Sequence, residues 1–168
     1  MVKGAAQSLW VVVGSFVLLL ALMAWFFDGV LERRANPNRA LIHSAPDQRE
    51  VILLPDRRGH YVAPGRINGV EVTFLLDTGA SHVAIPAHLA ERLDLSPGRP
   101  VQLLTAAGSV TARQTVIDRI ELGGITMHNI GGSLNPAMPG DFILLGMTFL
   151  RHLDFRQEGE RLILQLRR

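Results

Sequence analysis

From Glu50 onward, the apolar residues of this chain fall into short runs that Gly, Pro and Asn interrupt. Runs of roughly four to eight residues between such turn formers are typical of β-strands, whereas helices need longer periodic stretches. Only residues 86–95 predict a helix, because they begin with proline and place Leu89 and Leu93 about one turn apart. The sequence therefore predicts an all-β domain with one short helix over residues 50–168. The predicted strands are 51–54, 61–67, 70–76, 82–85, 101–104, 109–117, 120–122, 125–130, 142–144 and 161–166.

Three sites within this region predict tight turns. Asn68-Gly69 lies between two predicted strands, and both central residues of a type I′ hairpin turn need a positive φ, which Asn and Gly tolerate best. Gly123-Gly124 predicts a second turn of the same kind, and Gly159 predicts the turn of the last hairpin. These turns favour an antiparallel arrangement of neighbouring strands.

Residues 9–27 form a run of 19 residues without a charge, with Trp10 and Trp25 near its ends. As a helix this run is roughly 28 Å long, close to the hydrocarbon thickness of a bilayer, and tryptophan is favoured at both membrane interfaces. The alternative is a cleaved signal peptide, whose apolar core usually spans only about 7 to 15 residues. Because no small-x-small cleavage site follows Phe27, we expect an uncleaved transmembrane helix preceded by a short stub, residues 1–8.

Residues 28–49 are polar and contain Arg33-Arg34 and Pro46, without helical or strand periodicity. They predict a tether that could reach roughly 65 Å if extended. The orientation of the anchor is open. More positive residues follow the span than precede it, where Lys3 is the charged side chain, and this distribution favours a domain on the cytoplasmic side. A short N-terminal anchor followed by one domain commonly exports that domain, and export is the orientation we expect.

Composition excludes several classes of protein. The chain has no Cys, which excludes disulfides, thiolate zinc sites, iron–sulfur clusters and a Cys nucleophile. From Leu41 onward, 13 Arg balance 13 acidic residues, so the sequence lacks the positive excess of a nucleic-acid-binding domain. The six His form no HExxH or i, i+4 pair, and we expect neither a metal nor a cofactor.

Asp77 is the strongest candidate for chemistry. It follows three large apolar residues, Phe74-Leu75-Leu76, and a carboxylate in such a place is costly to bury unless it is hydrogen-bonded. The following Thr78-Gly79-Ala80-Ser81 supply backbone N–H groups and hydroxyls that could support it. Asp77 is therefore predicted to be a held, partly buried carboxylate, with residues 78–81 as its supporting residues. The alternative is an ordinary turn in which the carboxylate only caps neighbouring N–H groups.

Residues 61–166 resemble the retropepsin-like (clan AA) aspartic proteases, in particular their bacterial membrane-anchored, single-domain members. Leu76-Asp77-Thr78-Gly79-Ala80 resembles the catalytic motif of the family, which implies that Asp77 is the catalytic residue. Thr105-Ala106-Ala107-Gly108 lies where the family has its flap hairpin, and Ile143-Leu144-Leu145-Gly146 resembles the apolar-apolar-Gly motif of the ψ-shaped loop. Met147-Thr148-Phe149-Leu150 then follows as in the bacterial subgroup.

The resemblance implies a closed β-barrel and a reaction that needs two carboxylates about 3 Å apart sharing one proton. The chain has one such motif, since the Thr-Gly context is missing at Asp94, Asp118, Asp141 and Asp154. The second carboxylate must then come from Asp77 of a second copy, in a homodimer with a twofold axis through the site. By the same resemblance, the Thr78 hydroxyl reaches the partner's backbone and Gly79 lets the two loops approach.

The sequence thus predicts an aspartic endopeptidase that is anchored in the bacterial inner membrane by residues 9–27, with its protease domain in the periplasm. Its expected partners are a second copy of itself and a protein or peptide substrate, with no nucleic acid, metal or cofactor. The alternative is a membrane-tethered β domain that binds peptides or partner proteins without turnover. The intact Asp77-Thr78-Gly79 motif favours catalysis.

Overall fold

The computed structural model describes residues 14–23, 36–44, 49–105 and 108–167 of the chain. The chain divides into two compact units, residues 1–35 and Asn36–Arg168. In the first unit, residues 14–23 are helical (α1) and lie inside the predicted membrane span 9–27, whose other residues fall outside the described part. Within the described ranges, no helix has the length and hydrophobicity that crossing a membrane requires.

The second unit consists mainly of two β-sheets. Seven strands form one sheet in the order β2-β3-β8-β4-β7-β6-β5, and a further pairing of β2 with β6 closes it into a barrel. β1, β10 and β9 form a separate three-stranded sheet in that order. The described part of this unit is mostly β, as predicted. The strands are β1 Glu50–Leu53, β2 Val62–Ile67, β3 Val70–Leu76, β4 Val83–Pro86, β5 Pro100–Thr105, β6 Gly108–Leu122, β7 Ile125–Asn135, β8 Phe142–Leu145, β9 Leu153–Glu158 and β10 Arg161–Leu166.

All three predicted turns are confirmed in position, and the first is also confirmed in kind. Asn68 and Gly69 have φ of 50° and 83°, and they join β2 to β3 with Ile67 opposite Val70. Gly123, with φ of 57°, joins β6 to β7, and Gly159, with φ of 59°, joins β9 to β10. The first turn therefore has the predicted positive φ at both central residues, whereas in the second Gly123 has a positive φ and Gly124 does not, so the second turn is not of the same kind.

The predicted helix at residues 86–95 is wrong. Only Ala87–Leu89 is helical, as one 3₁₀ turn, and hydrogen-bonded turns follow until Asp94, which has φ of 52°. Its leucines are nevertheless buried, with Leu89 4% and Leu93 0% exposed. The apolar spacing at this place reports burial of the segment against the barrel and not a regular helix. The other short helices are a 3₁₀ helix at Arg39–His43 and the α-helix α2 at Met147–Leu150.

Three strands differ clearly from the prediction. β7 was predicted to end at residue 130 but continues to Asn135, where it pairs with β4. The predicted strands 109–117 and 120–122 are one strand, β6, because its pairing with β7 continues through Arg119. β9 was not among the predicted strands, since Leu153 and Phe155 are its only apolar residues. It forms because β10 supplies a complete antiparallel partner, from Glu158 opposite Arg161 to Leu153 opposite Leu166.

Residues 36–44 fall within the predicted tether 28–49, but the structure includes them in the second unit. Asn38 is 5% exposed. Its Nδ2 donates to the carbonyl oxygens of Leu54 at 2.8 Å and Val62 at 2.7 Å, and its Oδ1 accepts from the N–H of Leu54 at 2.8 Å. The folded unit therefore begins before β1, and Asn38 joins the end of β1 to the start of β2.

Candidate active site

Asp77 lies directly after β3 and is half-buried. Its N–H donates to the carbonyl oxygen of Leu145 at 3.3 Å, which continues the parallel pairing of β3 with β8. Its Oδ1 accepts a hydrogen bond from the N–H of Gly79 at 2.8 Å. The backbone therefore fixes the orientation of the Asp77 carboxylate within a single chain.

Asp77 and the five residues after it form a loop, residues 77–82, which we call the catalytic loop because it contains the predicted catalytic residue. Thr78, Gly79 and Ser81 are exposed, and Ala80 is half-buried with its N–H donating to the carbonyl oxygen of Asp77 at 3.2 Å. A Cβ added to Gly79 would lie 3.1 Å from Asp77 Oδ1, which is a tight contact. The Thr78 side chain makes no hydrogen bond within the described part of the chain.

The end of β8 packs against the catalytic loop. β8 lies between β3 and β4, with Leu76 opposite Leu145, so Gly146 comes next to Asp77. A Cβ on Gly146 would lie 2.2 Å from the carbonyl oxygen of His82 and 2.6 Å from that of Ala80, both of them backbone atoms. Only glycine fits at this position. The structure thus places the predicted residues Leu144, Leu145 and Gly146 beside the predicted catalytic residue.

An apolar surface, which we call the apolar strip, continues from Asp77 along two strands. Since side chains alternate along a strand, Leu75 lies on the same side of β3 as Asp77, opposite the buried Phe74. Leu75 is paired with Leu144, and Phe142 lies two residues before Leu144 on the same side of β8. Leu75 and Leu144 are half-buried, and Phe142 is 52% exposed. The two-residue alternation of side chains along a strand would have placed Phe142 on the same side as Leu144, but only the pairing of β3 with β8 places Phe142 beside the site.

The predicted flap residues lie at the open end of the β5–β6 hairpin. Thr105 is opposite Gly108, and the Thr105 hydroxyl donates to the Gly108 carbonyl oxygen at 2.8 Å. Ala106 and Ala107 lie outside the described residues. The neighbouring Leu104 is 91% exposed, so the hairpin end presents an apolar side chain to solvent.

The other aspartates that the sequence singled out have different surroundings. Asp141 lies 2.9 Å from His88 Nε2, and Asp154 accepts from Arg167 Nε at 2.9 Å. Asp94 and Asp118 line an open groove of about 770 Å³ that begins beside His82 at the end of the catalytic loop. Among the residues that the structure describes, no three His, Asp or Glu side chains are grouped to hold a metal ion.

Comparisons with known proteins agree with this arrangement. The sequence model of the family described as gag-polyprotein putative aspartyl protease matches residues 63–152, which include the catalytic loop, β8 and α2. The crystal structure of a retropepsin-like aspartic protease from Rickettsia conorii superposes with a TM-score of 0.58 at 31% identity, covering 70% of this chain and 90% of that one.

Two curated relatives are uncharacterized bacterial proteins. One, from Sinorhizobium sp, is an uncharacterized protein in the cobV 5′ region and is 33% identical over 153 residues, covering 84% of this chain and 66% of the relative. The other, from Rickettsia prowazekii (strain Madrid E), is 32% identical over 119 residues, covering 68% of this chain and 51% of the relative. The chain thus spans between half and two thirds of the length of these relatives. On the family match and the Rickettsia conorii structure together, the chain belongs to the retropepsin-like aspartic proteases.

Proposed function

We propose that this protein is an aspartic endopeptidase whose active site forms between two copies of the chain, each contributing Asp77. The observation that carries the proposal is the Asp77 carboxylate itself, which is half-buried, held by the Gly79 N–H, and placed at the end of an apolar strip. The carboxylate of Asp141 lies 2.9 Å from His88 Nε2, and that of Asp154 is ion-paired with Arg167. A second copy of Asp77 is therefore the best source of the second carboxylate.

In the proposed reaction, the two Asp77 carboxylates share one proton. The ionised carboxylate takes a proton from a bound water as the water oxygen bonds to the peptide carbonyl carbon, and the protonated carboxyl gives its proton to the carbonyl oxygen. The tetrahedral intermediate then breaks its C–N bond as the carboxyl that took the water proton gives it to the leaving nitrogen. The other carboxylate takes a proton from one hydroxyl of the intermediate as the new C=O bond forms, which restores the shared proton. The Thr78 hydroxyl has no hydrogen bond to any residue that the structure describes, which leaves it available to bond the partner's backbone.

The apolar strip supports a preference for substrates with apolar side chains next to the cleaved bond. Leu75, Leu144 and Phe142 leave apolar surface exposed beside Asp77, and covering that surface with a substrate side chain is favourable. Phe142→Ala removes the most exposed side chain of this surface, and we expect it to raise KM for such peptides more than it lowers kcat.

The direct test is cleavage of a mixed peptide library by residues 36–168 with and without Asp77→Asn. The amide keeps the shape of the carboxylate but loses its charge and basicity, so we expect activity to fall more than about 100-fold. Asp154→Asn is a matched control, because it removes an exposed carboxylate from β9, which belongs to the other sheet of the same domain. If Asp77→Asn retains full activity, the mechanism is wrong. If the wild type binds peptides without cleaving them, the non-catalytic alternative is correct.

Subunit mixing tests the shared site. When equal amounts of wild type and Asp77→Asn exchange subunits freely, only a quarter of the dimers carry two carboxylates, so total activity should fall to about half of that of the same wild type alone. Wild-type activity that stays unchanged in the mixture, although sedimentation shows mixed dimers, would contradict a site built from two chains.

We further propose that residues 9–27 anchor the protein in a bacterial inner membrane with the protease domain in the periplasm. The length and uncharged composition of this run support the proposal. Membrane fractions should retain the full chain after alkaline washing and lose a chain that lacks residues 1–35. A reporter fused after Arg168 that works only outside the cytoplasm should be active, and an inactive reporter on a stable fusion would reverse the orientation.

A further inference from the structure

Three hydrogen bonds connect the segment from Asp77 to Val83 with the residues around α2. The Asp77 N–H donates to the Leu145 carbonyl oxygen at 3.3 Å, the Met147 N–H donates to the Ala80 carbonyl oxygen at 2.8 Å, and the Val83 N–H donates to Thr148 Oγ1 at 3.0 Å. They lie at the start, the middle and the end of the segment. Together they hold the catalytic loop against the end of β8.

The bond at Thr148 differs from the other two because it uses a side chain. The first two join backbone atoms, which any residues except proline at the donor positions could supply. The bond to Val83 requires an acceptor on residue 148, so it depends on the identity of that residue. Val83 is 0% exposed, so its N–H has no access to solvent that could replace the bond.

The hydroxyl and the methyl group of the Thr148 side chain make different interactions. The hydroxyl accepts from Val83, and the methyl carbon Cγ2 lies 3.9 Å from where a Cβ on Gly131 would stand, on the wall of the groove beside His82. A serine keeps the hydroxyl and loses the methyl group, whereas a valine keeps the branched shape and loses the hydroxyl. The two changes therefore separate the hydrogen bond from the packing.

We infer that Thr148 is a positioning residue for the reaction, which acts through Val83 to hold the far end of the catalytic loop. Asp77 and Val83 are the two ends of one seven-residue segment, and Gly146 already lies against the Ala80 and His82 carbonyl groups inside it. Releasing Val83 lets the segment move away from Gly146 at its far end, which tilts the Asp77 carboxylate away from its partner. This inference rests on the proposed protease function.

The test compares Thr148→Val and Thr148→Ser in the full chain, with activity normalised to the concentration of folded dimer. A small displacement of a catalytic group can cost about 100-fold in rate, so we expect Thr148→Val to lower kcat between about 10- and 100-fold with KM within about threefold of wild type. Thr148→Ser keeps the acceptor and should retain kcat within about threefold. If the valine variant does not fold, Thr148→Ala removes the same acceptor without added bulk and takes its place.

A second measurement does not depend on activity. The amide hydrogen of Val83 should exchange with solvent faster in Thr148→Val than in wild type or Thr148→Ser. A valine variant that keeps both kcat and Val83 exchange at wild-type values overturns the inference, and so does a serine variant as slow as the valine variant. If the wild type cleaves no peptide, the proposed function fails, and the exchange experiment alone decides whether Thr148 holds the loop.

Discussion

Asn38 offers the sharpest test of where the folded unit begins. Replacing it with alanine removes three hydrogen bonds at once, two donated to Leu54 and Val62 carbonyl oxygens and one accepted from the Leu54 N–H. All three are 2.7 to 2.8 Å long, and the side chain is 5% exposed, so water cannot replace them without opening the structure. The change is therefore expected to weaken the whole domain.

The magnitude follows from these bonds. A neutral hydrogen bond contributes about 1 kcal/mol net, and a buried group left without its partner costs about 1 to 3 kcal/mol. Three lost bonds therefore predict that Asn38→Ala lowers the free energy of unfolding by about 3 kcal/mol, which is a large part of the 5 to 15 kcal/mol that typical domains have. Asn38→Asp keeps the acceptor for Leu54 but sets a carboxylate against two carbonyl oxygens, so at pH 7 it should destabilise at least as much.

Urea unfolding of residues 36–168, followed by far-ultraviolet circular dichroism, measures the effect. Tryptophan fluorescence is unsuitable, since Trp10 and Trp25 both precede this fragment. His43→Ala is the control in the same segment, because His43 is exposed and its side chain has no hydrogen bond in the described structure. A loss below about 0.5 kcal/mol for Asn38→Ala, no larger than that of a typical surface substitution, would refute the reasoning and return residues 36–44 to the tether.

Three further predictions concern single positions. Gly146→Ala should lower the free energy of unfolding by about 2 kcal/mol or more and also reduce activity in peptide assays, because the added Cβ would overlap two backbone carbonyl oxygens. A fully active and stable variant would contradict the close packing. Ser133→Ala should raise the unfolding free energy by about 1 kcal/mol, because the Ser133 hydroxyl is buried without a partner in the described structure; a clear loss of stability in urea unfolding would show that the hydroxyl is bonded. Burial by itself would raise the pKa of Asp56. The hydrogen bonds that its carboxylate accepts from the N–H groups of His60 and Arg58 outweigh this effect and lower the pKa below 3.8. The stabilisation by this carboxylate is therefore complete above about pH 4 and lost as pH falls through the lowered pKa. Asp56→Ala should thus cost less stability at pH 3 than at pH 7. An equal loss of stability at both pH values would exclude the ionised carboxylate as the cause.

The sequence predicted those parts of the fold that depend on nearby residues. The Asn68-Gly69 turn could be read directly, because its two residues alone decide whether a positive φ is acceptable. The apolar run before Asp77 likewise marked the end of a strand. The spacing of Leu89 and Leu93 was read as a helix, since periodicity shows which residues are buried but not which backbone conformation buries them.

The parts that the sequence did not predict depend on contacts between distant residues. Asn38 was assigned to a tether because nothing around it shows that Leu54 and Val62 will supply its partners. Phe142 and Thr148 reach the site only through the placement of β8 beside β3, across a separation of 69 residues between Thr73 and Phe142. The motif at Asp77 identified the candidate residue, whereas its surroundings required the topology.

The position of β8 has a consequence for how the protein matures. The hairpin of β2 and β3 joins neighbouring residues and can form early, but the catalytic loop receives its supporting bonds from Leu145, Met147 and Thr148, at separations of 65 to 68 residues. Contacts of such sequence separation, and parallel pairing in particular, form slowly. A chain leaving the ribosome therefore carries Asp77 long before it can hold that side chain in place. Proteolytic competence should arise as one of the last events of folding, when most of the domain has already been synthesised.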